Sequence, residues 1–109
     1  MNKLDLPDRY LAELLGLLQA HVSDAEVWAY GSRLNGGGHA TSDLDLVVRN
    51  PAAPSRAQPR LWALRDALSE SGLPILVDIL DWARIPDSFR KEIERAHVVL
   101  RAPFRETSS

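Results

Sequence analysis

The stretch Ser42-Asp43-Leu44-Asp45-Leu46-Val47-Val48 sets two carboxylates two residues apart inside an apolar run, and ten residues earlier stands Gly31-Ser32. Read as a strand, the run places Asp43 and Asp45 on one face, because side chains alternate along extended backbone. Their Cα atoms are then roughly 6.5–7 Å apart. Two carboxylates brought to ~4 Å repel by about 4 kcal/mol at an effective dielectric near 20. A divalent cation reverses the sign of that interaction. The alternative is a solvated strand edge kept charged against aggregation. It fits poorly with Leu44, Leu46 and Val48, which anchor the strand in a core.

Elements group around this strand. Leu11, Leu14, Leu15, Leu18 and Val22 recur at helical spacing and predict a first helix from about Pro7 to His21, with proline in the first turn. Glu26 to Tyr30 reads as a short strand stopped by Gly31. Asp43 to Arg49 is the second strand. Ser55 and Gln58 have the spacing of a capping box, and Leu61, Leu64 and Leu68 give a second helix its buried stripe, closed by Gly72 with Pro74 beyond. Ile75 to Leu80 is the third strand, Pro86 to Arg95 a third helix with Phe89 and Ile93 inward, and His97 to Leu100 a fourth short strand.

Helices alternating with strands predict an α/β or α+β domain, a mixed sheet of about four strands with helices packed on it. The segment from Gly31 to Ser42 is too short for a helical crossover with its turns, so the first two strands are expected to run antiparallel, the alternative being a connection through a very short helix. At 109 residues and 45% hydrophobic content the chain suits one domain, residues 1–105, with a flexible tail at 106–109. It has no cysteine, which excludes disulfides and thiolate metal sites. No apolar run approaches the ~18 residues of a membrane span and no signal-peptide pattern is present, so a soluble cytoplasmic protein is expected. A net charge of −2 argues against an autonomous nucleic-acid binder.

The third strand, Ile75-Leu76-Val77-Asp78-Ile79-Leu80, holds one charge in an apolar run and is expected to be covered on both faces. A carboxylate there needs a partner. One of the thirteen Lys/Arg side chains is one candidate. The other is a shared cation, since Asp43, Asp45 and Asp78 on neighbouring strands would form the oxygen-rich pocket that Mg²⁺ prefers. Asp81 points opposite to Asp78 by alternation. Gly31 allows close approach to the backbone, and the Ser32 hydroxyl with backbone N–H groups can hold phosphate oxygens. Arg33 is either a bidentate phosphate ligand or a solvent-facing arginine. Gly36-Gly37-Gly38 is a tolerant linker or a loop that moves over substrate. His39 lies near the acidic pair, and His21, His39 and His97 lack metal-ligand spacing. Trp28, Trp62 and Trp82 read as core or rim packing; Tyr30 suits the core or, beside Gly31, stacking on a base.

At these residues the chain resembles the minimal nucleotidyltransferases of the DNA polymerase β superfamily, whose signature is Gly-Ser, about ten residues, Asp-x-Asp, and a third carboxylate on a later strand. Gly31, Ser32, Asp43, Asp45 and Asp78 carry the match, and it extends over nearly the whole chain. The resemblance implies two Mg²⁺ ions on a bound ATP held by Asp43, Asp45 and Asp78, with Asp78 also deprotonating or orienting an attacking hydroxyl, and outer phosphates held by Gly31, Ser32 and Arg33. Stand-alone domains of this size are similar to the antitoxin of HEPN/MNT toxin–antitoxin modules. That likeness implies transfer of AMP to a tyrosine of a HEPN-fold ribonuclease toxin, with which the chain would form a hetero-oligomer, and no direct binding of nucleic acid or membrane. A non-catalytic antitoxin acting by occlusion, or adenylylation of a small molecule, is the alternative.

Overall fold

The computed structural model describes residues 7–31 and 44–101. Helix α1 spans Asp8–His21, strand β1 Glu26–Tyr30, strand β2 Leu44–Arg49, helix α2 Leu61–Ser69, strand β3 Val77–Asp81, helix α3 Asp87–Arg95 and strand β4 Val98–Arg101, with a 3₁₀ turn at Trp82–Arg84 after β3. The four strands form one sheet in the order β3-β2-β1-β4.

β1 and β2 are antiparallel, as the shortness of their connection requires, and β2 and β3 are parallel, joined through α2. β4 returns antiparallel along the other side of β1. The sheet is thus mixed, and the architecture is α+β.

Each face of the sheet has its own core. On one face Val27, Ala29, Leu44, Leu46, Val48 and Ile79 pack against Leu14 and Leu18 of α1 and Leu61, Leu64 and Leu68 of α2. These are the stripes at helical spacing, and the strands supply every second residue to meet them. The other face carries a smaller core of Trp28, Val47, Trp82 and Ile93, with Tyr30, Leu80 and Phe89 at its margin. Trp28 stacks on His97, ring centroids 4.0 Å apart, and meets Trp82 edge-on at 5.3 Å. Two of the three tryptophans are therefore core, while Trp62 is 66% exposed.

Three local expectations are corrected. Helix α1 begins after Pro7, which stands at its N-cap with its carbonyl accepting from the Tyr10 and Leu11 amides. That is a one-residue difference. The Ser55/Gln58 capping box does not form: α2 begins at Leu61, with Arg60 at the N-cap and no side-chain cap. Pro59 disfavours helical backbone at Gln58, and the Gln58 amide instead donates to Asp81 Oδ2 at 2.9 Å. The third correction concerns β3, an end strand whose far face is covered only at Leu80, beside the smaller core, and not at Asp78. Val77, Ile79 and Asp81 turn toward the α2 side, whereas Asp78 is exposed and Leu76 is 73% exposed. The layer on the other face starts with Trp82, after β3 has ended, so nothing among the described residues covers Asp78.

Candidate active site

Register places Tyr30 opposite Asp45, and Asp45 opposite Asp78. The three residues form one row across β1, β2 and β3, all on the face of the smaller core. Neighbouring strands lie about 4.8 Å apart, so the two carboxylates are direct neighbours at the open end of that face. Asp45 is fixed by Leu44 and Leu46 on either side of it, both wholly buried against α1 and α2. Asp78 is fixed in the same way by Val77 and Ile79.

β1 ends in the row at Tyr30, and the next residue, Gly31, has φ +93°. Only glycine takes that backbone without cost. The residue is also pressed against the site: a Cβ at Gly31 would stand 2.5 Å from Asp45 Oδ2 and 3.4 Å from Asp45 Cγ. Any side chain here would push directly on the carboxylate. The glycine thus meets two independent requirements, one of backbone and one of space.

The electrostatics of the row are legible in Tyr30. Its phenol is pushed up to about 12, first by burial, then by the negative charge of Asp45 and of Asp78. The ring lies edge-on to Phe89 of α3, centroids 5.7 Å apart, which holds it upright beside the carboxylates. Tyr30 belongs to the margin of the core, and its hydroxyl end borders the acidic row.

Asp81 occupies the opposite face, as alternation along β3 requires. It is 5% exposed, accepts from the Gln58 and Ala83 amides at 2.9 and 3.2 Å, and lies 3.6 Å from Arg84 Nε. This carboxylate is a structural anchor: it ties the 50s loop to the end of β3 and caps the 3₁₀ turn. The buried cluster below the row was not foreseen from sequence. Arg49, paired with Glu26 across the β1–β2 ladder, lies over the rings of Trp28 and Trp82 at 5.2 and 5.5 Å. A sequence signal existed in the opposite charges at the outer ends of two adjacent strands, but it needs the register to be read.

Of the residues singled out in the sequence, Gly31, Asp45 and Asp78 are brought together. Asp43, Ser32, Arg33 and His39 lie outside the described residues. Among the described residues no group of three His, Cys, Asp or Glu gathers; Asp45 and Asp78 are a pair.

Residues 11–101 match the nucleotidyltransferase domain family. The chain is similar to the probable protein adenylyltransferase MntA of Haemophilus influenzae, 40% identical over 99 residues that cover 90% of this chain and 84% of that protein. Its fold is similar to a chain in the crystal structure of a toxin–antitoxin with AMP-PNP, with a TM-score of 0.68 over 84% of this chain and 73% of that one, at 20% identity. At that identity the likeness is one of fold.

Proposed function

The chain belongs to the nucleotidyltransferase domain family, which matches residues 11–101, and on that premise we propose that it transfers AMP from ATP to a tyrosine hydroxyl of a partner HEPN ribonuclease toxin and so acts as its antitoxin. The observation that carries this reading is the Asp45–Asp78 register with Gly31 held against the Asp45 carboxylate. The kinship with a probable protein adenylyltransferase supports a protein acceptor, and the fold's likeness to a toxin–antitoxin chain supports the biological setting. In this reading residues 1–105 are one domain.

The residues fit Mg²⁺. Two carboxylates on adjacent strands, paired in register, supply the hard oxygen ligands it prefers. Asp45 and Asp78, with Asp43, would hold it. The chemistry Mg²⁺ would supply there is neutralisation of triphosphate charge and easier ionisation of the attacking hydroxyl.

The chain's own residues then divide the work. Asp45, rigid on the central strand β2, would hold the cation that the triphosphate meets. Asp78 stands on the end strand with its face open, so the acceptor hydroxyl reaches it directly and delivers its proton to that carboxylate. The acceptor oxygen bonds to the α-phosphorus as the bond to the pyrophosphate oxygen breaks. Gly31, whose missing Cβ makes room for the Asp45 carboxylate, offers its backbone to the outer phosphates, with Ser32 and Arg33 as their further ligands.

The test is incubation of the chain with α-labelled ATP, Mg²⁺ and the candidate toxin. Label is expected on a toxin tyrosine and is expected to vanish with Asp43→Ala or Asp45→Ala. Toxin neutralisation that survives both substitutions, without label, refutes the enzymatic reading in favour of occlusion.

A further inference from the structure

Past the acidic row, at the C-terminal end of β3, the sheet edge borders a cavity of about 460 Å³. Its wall includes Trp62 and Arg65 of α2, Leu80 and Asp81 of β3, and Arg84 and Ile85 beyond it. Leu80 lies two residues after Asp78 on the same face of β3, roughly 6.6 Å along the strand. Cavity and carboxylate are thus neighbours along one open edge.

The chemistry of this wall differs from that of the rest of the chain. Net charge overall is −2, yet the wall itself holds two exposed arginines, Arg65 and Arg84, against the one carboxylate of Asp81. Asp81 is turned inward, accepts from two backbone amides and lies 3.6 Å from Arg84 Nε, so the charge this wall shows to solvent is that of the two guanidinium groups. Trp62 stands out of this surface at 66% exposure, where the fold gives it no packing role. Exposed tryptophan beside arginine is the composition of binding hot spots. Arg65 already donates to the Ile79 carbonyl at 2.8 Å, so the strand edge is covered by a guanidinium at that point and recognition here falls to side chains.

We infer that this cavity is the docking site for the protein acceptor: an acidic segment carrying an apolar anchor seats against Trp62 and Arg84, and the same segment, running back along the β3 edge, presents its hydroxyl to Asp78. The inference rests on the adenylyl-transfer reading for its acceptor and adds what selects it. Charge complementarity favours an acidic protein segment, and the two-residue step from Asp78 to Leu80 connects the docking site with the chemistry.

Two measurements test it with the full chain and the toxin used above. In the transfer assay Trp62→Ala and Arg84→Ala are each expected to raise KM for the toxin about tenfold, the equivalent of 1.4 kcal/mol, with KM for ATP unchanged and melting temperature within a few degrees of wild type. In the second, toxin is titrated into catalytically dead Asp45→Ala. Trp28 and Trp82 are buried, so Trp62 supplies the solvent-exposed emission, which is expected to shift to the blue; Trp62→Phe in the same background abolishes the shift. Labelling with unchanged toxin KM in both variants, together with no shift, overturns the docking site while leaving the activity intact. A shift without any labelling by the wild-type chain overturns the activity and upholds the docking site.

Discussion

Gly31→Ala is the most informative single perturbation. At φ +93° a residue with a Cβ sits in sparsely populated backbone space, at a cost of order 1–3 kcal/mol. The same Cβ would stand 2.5 Å from Asp45 Oδ2, and real Cβ contacts stay beyond 3.0 Å, so the carboxylate must retreat by at least the 0.5 Å between the two; ordinary contact at 3.4 Å requires 0.9 Å. Displacements near 1 Å cost about 10²-fold in rate where geometry is critical, so a loss between about tenfold and a hundredfold follows. Each kcal/mol of strain lowers the midpoint by roughly 4–8 °C in a domain of this size. Initial rates of AMP transfer, taken well below the variant's own melting temperature, separate the two effects. Gly16→Ala is the control: Gly16 lies within α1 with nothing inside 4 Å of an added Cβ, and the change is expected to stabilise by about 0.5–1 kcal/mol and leave the rate alone. A Gly31→Ala variant with wild-type rate and wild-type melting temperature would refute the crowding at Asp45 and with it the functional role assigned to this glycine.

Asp78→Asn is expected to reduce transfer more than nucleotide binding, because its assigned role concerns the attacking hydroxyl; equal losses in kcat and in ATP affinity by calorimetry contradict that role. Asp81→Ala removes a buried carboxylate that accepts two backbone amides and is expected to cost roughly 2–6 kcal/mol, at 1–3 kcal/mol for each donor left unsatisfied, whereas Asp78→Ala on the exposed edge leaves the melting temperature nearly unchanged; denaturant midpoints compare the two. Tyr30 has its folded-state pKa raised from 10.0 to about 12. Its contribution to stability is therefore fully present below pH 10 and lost as pH climbs from 10 to 12, since only the unfolded chain gives up the proton over that range. Tyr30→Phe is expected to flatten this alkaline decline in thermal melts, and an unchanged slope would contradict the placement of the phenol beside Asp45 and Asp78.

The apolar periodicities fixed most of the elements in advance, since helical and extended backbones repeat at 3.6 and 2 residues and the burial they demand is local. They placed α1, α2 and the four strands within a few residues. The thirteen residues between β1 and β2 favoured antiparallel strands in advance, because a helical crossover needs a dozen or more residues plus its turns. Alternation alone separated Asp78 from Asp81. What the sequence left undecided was sheet order. An apolar run reads the same whether its strand is central or at an end, so β3 was expected to be buried on both faces, and the exposure of Asp78 was invisible. The capping box failed for one local and one distant reason: Pro59, legible in the sequence, disfavours helical backbone at Gln58, and Asp81, distant in sequence, takes the Gln58 amide. The Tyr30–Asp45–Asp78 row and the contact of Gly31 with the Asp45 carboxylate are likewise products of register. Register is settled only when α1, α2 and α3 cover the sheet, because a slip of one residue would turn every strand's apolar side chains away from them.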